Sequence, residues 1–565
     1  MGYLNRRSTE NDPSHTPLSS MYEYNSSKDD ELLMNLGYNP ELKRNFSPLQ
    51  VFGIAFSIMS LVPSIASVFV DSISAGGAGM TWGWLVPSLF IMSVGVSLSE
   101  FGSSMPTSGG LYWWSFKFAP KKLAKPACWL SGYANTLGLV GGIVSIDSGF
   151  AGMILSVPAM ASDGNFVPTK YMNYGVFAAC VIAQLAIAST SNRFLSRLQT
   201  VCIVLNMILI FLICIALPVG IKSHGKDLNS ASFVFGDTTN QYGWSYGWAF
   251  LLSWMAPIWT IGAFDSCIHM SEEASNAATA VPLGICMSIG MCAVLGWVIQ
   301  AILAACLLDV EGVVNTSTGQ PMAQLIMDSL DKRWAIAIMC VMFVVQFLMG
   351  LSILVAASRQ TWAFSRDGAL PFSGWVRKIN LKHGVPINAL IFDTILSLAI
   401  GCLTLIDPTA ALAVFSLAVS SNGLAWMMPI LMRVINFDAA SFVPGPFYLG
   451  HRISRINNVI SCVYLTFVVF VLSQMPTTKN PTAQEMNYTC IINPTIWIGA
   501  MLYYFISAHK WFTGPKLTIG TVEGVDPVVS EKLAGSKVTM DKSGVRNEKE
   551  PIVEEESGSS LESEI

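Results

Sequence analysis

The chain has 565 residues, 52% of them apolar and only 12% Asp, Glu, Lys or Arg, about half the charged fraction of a soluble globular protein. Residues 1–48 hold 12 of those charges and residues 515–565 hold 17, which leaves a middle too apolar for one aqueous core to hide; the solvent it faces is lipid. The formal net charge of −4 offers no basic face, which argues against a nucleic-acid partner.

In chain order, residues 1–48 are polar and rich in Ser and Thr, and read as a disordered cytoplasmic tail. Apolar stretches then recur, each long enough at about 1.5 Å per residue to cross about 30 Å of hydrocarbon. They lie at 49–70, 79–101, 126–154, 172–190, 198–219, 246–270, 281–308, 334–362, 385–406, 409–432, 457–475 and 490–508. The expected fold is an all-α membrane protein with twelve transmembrane helices over 49–508, the first of which acts as its own insertion signal. Residues 509–565, with the acidic run Glu554–Glu556, read as a second cytoplasmic tail. Hydroxyl residues such as Ser8, Thr9 and Ser26, with Lys28 beside them, make the tails candidate docking points for trafficking or ubiquitin machinery.

Counting Lys and Arg in alternate loops gives 18 on the side of the N-terminus and 6 on the other, so both termini are expected in the cytoplasm. Sequons at Asn315 and Asn487 then fall on outer loops as glycosylation candidates, whereas those at Asn25 and Asn45 fall in the inner tail. The 12 cysteines sit mostly inside apolar runs without Cys-x-x-Cys pairing and read as small core residues, so neither metal nor cofactor is expected.

Two spans carry interruptions that a lipid-facing helix would avoid. The first reads GIAFSIMSLVPSIAS from Gly53 to Ser67; Pro63 removes a backbone donor and clashes with the preceding turn, and four serines add polarity at mid-membrane depth. The sixth reads APIWTIGAFDSCIHMSEEA from Ala256 to Ala274, where Gly262 lets the backbone open. There Asp265 costs about 2.5 to 3.5 kcal/mol near the bilayer centre unless it faces a cavity or a partner. Breaks in spans one and six are the pattern of inverted repeats whose discontinuous helices meet at the midplane. Exposed N–H groups suit a carboxylate, and freed carbonyls with Asp265 suit an ammonium, so the arrangement fits a zwitterion.

The segments LQVFGIAFSIMSLVPSIAS (49–67), PTSGGLYWW (106–114), SIDSG (145–149), WTIGAFDSCIHMSEEA (259–274), SRQTWAFSRDGALP (358–371), PGPFYLG (444–450) and MNYTC (486–490) resemble the fungal gamma-aminobutyrate permeases. These form part of the amino acid/choline branch of the amino acid, polyamine and organocation transporter superfamily. The resemblance runs from about Leu36 to Gly514. It implies a leucine-transporter-type fold of five plus five inverted repeats, at about 49–219 and 246–432, with two extra helices over about 457–508. It also implies proton-linked import. Carried over by position, Ser60, Leu61, Val62, Pro63 and Ser64 would cradle the substrate carboxylate, and Gly262, Ala263, Phe264 and Asp265 would hold its amine end. Bacterial relatives carry a lysine in the fifth span in place of sodium; here that span has none, and Asn206 is its only strongly polar interior residue.

Asp147, Asp265 and His269 are the proton-coupling candidates, since His269 follows Asp265 by four residues on one helical face. Glu272 and Glu273, at the inner end of the sixth span, are placed to pair with Arg359, Arg366 or Lys43 as an inner gate. Residues 106–118 are too short to span, and read as a re-entrant piece or as an aromatic belt anchor through Trp113 and Trp114. The chain is thus expected to be a proton-coupled secondary transporter that imports a small amino acid or amine by alternating access, with gamma-aminobutyrate the leading candidate. A polyamine, choline or thiamine transporter, or a non-transporting nutrient sensor, is the alternative. The plasma membrane is the expected location, with a vacuolar or other internal membrane as the alternative. An enzyme is the weakest reading, because no nucleophile, base and orienting group share a motif.

Overall fold

The computed structural model describes residues 28–516 and 518, apart from 45, 163–164, 191, 381–383, 407, 438–441 and 483–485. The expectations for the tails at 1–27 and 519–565, including the docking of trafficking or ubiquitin machinery, and the sequons at Asn25 and Asn45 lie outside the described residues. The chain is helical from Lys28–Asn35 (α1), through Pro48–Met59 (α2), Leu61–Ser67 (α3), Phe69–Ile73 (α4), Gly76–Ser104 (α5), Gly110–Phe118 (α6) and Ala124–Ala161 (α7), to Lys170–Ala188 (α8) and Asn192–Ser223 (α9). It continues through Ala231–Gly236 (α10), Tyr246–Ser253 (α11), Met255–Thr260 (α12), Ser266–His269 (α13), Ala277–Cys306 (α14), Val310–Val314 (α15), Pro321–Ser329 (α16) and Lys332–Arg366 (α17). Ser373–Val376 (α18), Ile387–Gly401 (α19), Pro408–Ile435 (α20), His451–Phe470 (α21) and Thr489–Ile506 (α22) complete it.

Among the described residues, 11 helices are long and apolar enough to cross a bilayer. Each corresponds to one of the expected spans. The remaining one, 246–270, is not a single helix: α11, α12 and α13 are each too short to cross, and a turn over residues 261–265 separates the last two. The outward faces agree with a lipid setting. On α9, Val201, Val204, Ile208, Phe211, Ile215 and Val219 recur every three or four residues, each about half or more exposed, while Cys202, Asn206, Leu209, Ile213 and Leu217 on the opposite face are buried. A stripe of exposed aliphatic side chains at helical spacing is stable against hydrocarbon and not against water.

One expectation fails at the N-terminus. Residues 28–48 are not a disordered tail: Leu33, Tyr38, Leu42 and Phe46 are buried in the helical domain. Their composition hides this, because Asp29, Arg44 and Tyr38 bond to distant parts of the domain that a local reading does not bring near.

In the interior, α2, α5 and α14 pack together, and α7, α17 and α20 form a second group. The interrupted segments lie where these groups meet, with α3 against α12, α14 and α17, and α12 against α5 and α20. Close approach of α7 to α20 depends on Gly138, where any Cβ would collide with Asn422.

Candidate functional site

The first interruption falls at Ser60, whose φ of 29° and ψ of 69° separate α2 from α3. Its cause lies three residues on. Pro63 has no N–H to give to the carbonyl of Met59, four residues back, and that oxygen instead accepts the Ser64 hydroxyl at 2.5 Å. Ser60 Oγ donates to Ser57 O at 2.6 Å and accepts Asn206 Nδ2 at 2.9 Å, so the polar residue of the fifth span braces the break.

The second interruption follows α12. Ile261 N and Gly262 N turn back to Pro257 O and Trp259 O, and Ser266 N returns to Ala263 O. The carbonyls of Thr260, Ile261 and Gly262 accept no hydrogen bond among the described residues. Glycine is needed here, since a Cβ at position 262 would lie 2.9 Å from Ile258 O and 3.1 Å from Trp259 O.

A cavity of about 40 Å3 opens beside this turn, lined by residues that include Ile58, Trp259, Thr260, Gly262, Ala263, Met349, Asn422 and Trp426. Three of its polar atoms, Thr260 Oγ1, Asn422 Oδ1 and Trp426 Nε1, are buried with no partner among the described residues. Orphaned groups at this depth carry a desolvation penalty that a polar ligand relieves. Trp259 Nε1 instead donates to Ser145 Oγ at 3.3 Å. At roughly 10 to 15 Å3 of such space per water, the cavity holds a few waters, and an amino acid enters only if its walls move. Trp426→Phe keeps an aromatic face, though a smaller one, and removes the indole donor; it is expected to raise the half-saturating substrate concentration about tenfold with unchanged surface level, measured by initial uptake rates.

The expected binding residues divide. Gly262 and Ala263 line the cavity, and Phe264 lines a smaller adjoining one and packs 4.6 Å from the ring of Trp426. Ser60, Leu61, Val62, Pro63 and Ser64 do not line it; Ile58 is the contribution of α2 and α3. The serine hydroxyls are satisfied by their own helix, by Asn206 and by Met349. Asp265 lies outside the lining as well. Its Oδ2 accepts Asn135 Nδ2 at 3.3 Å and lies 3.6 Å from His269 Nε2, and its Oδ1 is buried without a partner. His269 Nδ1 in turn meets Ser108 O at 3.0 Å. Asp147 stands apart from this group, with Gln184 Nε2 at 2.8 Å and Cys180 Sγ at 3.5 Å.

Following His269 in the chain, Glu272 and Glu273 enter two buried ion pairs. Arg366 meets Glu272 with Nη1 and Nη2, both at 3.1 Å, and Arg359 Nε lies 2.7 Å from Glu273. Glu272 Oε1 also accepts Ser108 N at 3.0 Å. The guanidinium of Arg366 is sandwiched by the rings of Tyr38 at 4.0 Å and Trp362 at 4.5 Å. Next to it, burial pushes the Asp367 carboxyl up to about 6 against the opposing pull of Arg366. It accepts Tyr112 OH at 2.7 Å and Lys516 N at 2.9 Å.

Two further expectations are corrected. Trp113 and Trp114 are buried on α6, so they do not form an aromatic belt. Asn487 Nδ2, the atom that a glycan would occupy, donates to Ser473 O and Met475 O, whereas Asn315 is exposed. Sequence reasoning passed over Asn135, Asn422 and Trp426. The run Ser420–Ser421–Asn422 inside an apolar span was the available signal, by the same criterion that marks Asn206.

The family profile described as amino acid permease matches residues 46–496. The chain is 43% identical over 492 residues to the GABA-specific permease of Saccharomyces cerevisiae, covering 87% of this chain and 86% of that one. It is 35% identical to an uncharacterized amino-acid permease of Schizosaccharomyces pombe, at 87% and 89% coverage, and 32% identical to an amino-acid permease of Oryza sativa described as a BAT1 homolog, at 86% and 94%. With a match across most of its length and a cavity seated between two helix breaks, the chain belongs to the amino acid permease family, multipass membrane transporters without catalytic activity.

Proposed function

We propose that this protein is a proton-coupled importer of a small amino acid or amine, with gamma-aminobutyrate the leading substrate, working by alternating access at the plasma membrane with both termini in the cytoplasm. The observation that carries this reading is the cavity beside the second break, whose lining residues Thr260, Asn422 and Trp426 each hold a buried polar atom without a partner among the described residues. The similarity to a relative named for GABA supports the substrate class. In this reading the sixth segment crosses as a twelfth, broken helix, and spans one to five and six to ten form inverted repeats. The carbonyls of residues 260–262 receive the substrate's ammonium, and Thr260 and Trp426 donate to its carboxylate. The proton passes through Asp265 with His269, 3.6 Å apart beside the second break, with Asp147 as the alternative; each of the two carboxyls holds one buried oxygen without a partner among the described residues. Glu272–Arg366 and Glu273–Arg359 form the inner gate.

The test is uptake into proteoliposomes under an inward proton gradient, with gamma-aminobutyrate, putrescine, choline and thiamine as competitors. Accumulation of labelled gamma-aminobutyrate above equilibrium, blocked by excess unlabelled gamma-aminobutyrate and abolished by a protonophore, is expected. Binding without accumulation would leave a sensor, and stronger competition by choline would shift the site's chemistry to the aromatic faces of Trp259 and Trp426.

A further inference from the structure

The segment from Lys28 to Phe46 ties together the two sides of the inner closure. On the side of the sixth and seventh spans, the Asp29 carboxylate accepts Asn276 N at 2.7 Å and Ala277 N at 3.0 Å, which caps the N-terminus of α14. Arg44, paired with Asp30 at 2.8 Å, donates to Ala274 O at 2.7 Å and Ser271 O at 3.3 Å. Phe46 lies beside Ala274 like a short strand, giving its N–H to Glu273 O at 3.1 Å and accepting Ser275 N at 2.9 Å. On the side of the eighth and ninth spans, Tyr38 stacks on Arg366 and its hydroxyl reaches Asp367 at 3.4 Å. Leu42 packs with Trp362, Val376 and Ala389.

We propose that residues 28–46 are a strap across the inner gate, with Tyr38 as the positioning residue that holds Arg366 toward Glu272, and that release of Tyr38 and Leu42 is a required step in opening the inner side. The inference rests on the reading of Glu272–Arg366 and Glu273–Arg359 as that gate. Glutamates and arginines of the two pairs cannot separate while one continuous segment is bound on both sides. The order of release follows from the contacts. The sixth- and seventh-span side is held by backbone pairing and charge-assisted bonds to Asp29 and Arg44, which are the stronger class. At Tyr38 and Leu42 the eighth- and ninth-span side is held by a stack, long hydroxyl contacts and a small apolar cluster. Tyr38 therefore lets go first, and the strap travels with span six.

Cys267 reports the opening. It is fully buried, lies in the chain between the cavity-lining residues 262–263 and the gate glutamates, and its Sγ donates to Val51 O at 3.5 Å. Its alkylation from the cytoplasmic face of inside-out vesicles is followed by peptide-resolved mass spectrometry in the full-length protein. Tyr38→Ala, Arg44→Ala and the milder Asp29→Asn are each expected to speed it about fivefold or more, as is the gate variant Glu272→Gln. Tyr38→Phe, which keeps the stack, is expected to stay within about twofold of wild type. A readout specific to positioning is the split between directions: the strap variants raise the half-saturating concentration for external substrate severalfold while counterflow from inside is not slowed, because the population moves toward the inward-facing state. Faster alkylation in Glu272→Gln with wild-type rates in strap variants that remain monodisperse overturns the strap and leaves the gate. Faster alkylation in the strap variants alone supports the strap and overturns the pairing as the gate. Wild-type rates throughout overturn both.

Discussion

Asp265→Asn is expected to cut uptake roughly thirtyfold to several-thousandfold while surface abundance stays near that of wild type. The amide matches the carboxyl in size, so the packing around Asn135 and His269 persists. What is lost is a carboxyl able to take and give a proton, one whose Oδ1 has no partner among the described residues and whose Oδ2 lies 3.6 Å from His269. A loss of about 2 to 5 kcal/mol, the scale of truncating a buried charged contact, gives the stated range at about 1.4 kcal/mol per tenfold. Initial-rate uptake, normalised to surface biotinylation, measures it. Wild-type uptake by the variant would show that neither proton nor substrate depends on this carboxyl.

Arg366→Ala is expected to lower the stability of the detergent-solubilised protein by about 3 to 5 kcal/mol, the cost of leaving a buried ionised partner uncompensated. Glu272 is 2% exposed and Arg366 6%, so water does not replace the lost guanidinium. The variant also removes the cation held between Tyr38 and Trp362, which adds to the loss. A thermal-unfolding midpoint reads the effect. The exchanged pair Glu272→Arg with Arg366→Glu should recover part of it, because the charges again meet, although the rings of Tyr38 and Trp362 then face a carboxylate. A single Arg366→Ala variant as stable as wild type would show that the pair is solvated in the membrane-embedded protein.

Both helix breaks were legible because their causes are local. Pro63 deprives Met59 of its donor wherever the helix packs, although the turn itself falls upstream at Ser60. Gly262 allows a backbone path that a Cβ would block. Glu272, Glu273, Arg359 and Arg366 were legible as a set that pairs, since charges at the end of a span are few. The pairing Glu272 with Arg366 and Glu273 with Arg359 was not, because two acids and several bases permit more than one arrangement. The cavity was legible only on the side of span six. Asn422 and Trp426 enter it from α20, and Asn135 reaches Asp265 across 130 residues of chain. No local spacing records such a meeting.

The amino-acid sequence alone sufficed for the membrane setting, the positions of the apolar spans and the two interruptions, since each depends on the hydropathy of a stretch or on the chemistry of one residue and its near neighbours. The packing of distant helices decided the rest: that Ser60 and Ser64 satisfy their hydroxyls away from the cavity, that Asp265 turns toward Asn135 and His269, and that residues 28–44 and Phe46 dock on the helical domain. Composition misjudged that last segment for a physical reason. Its charged and polar side chains look as though they need water, yet Asp29, Arg44 and Phe46 find their partners in the exposed backbone ends of α13 and α14, and those ends exist only once the bundle has formed.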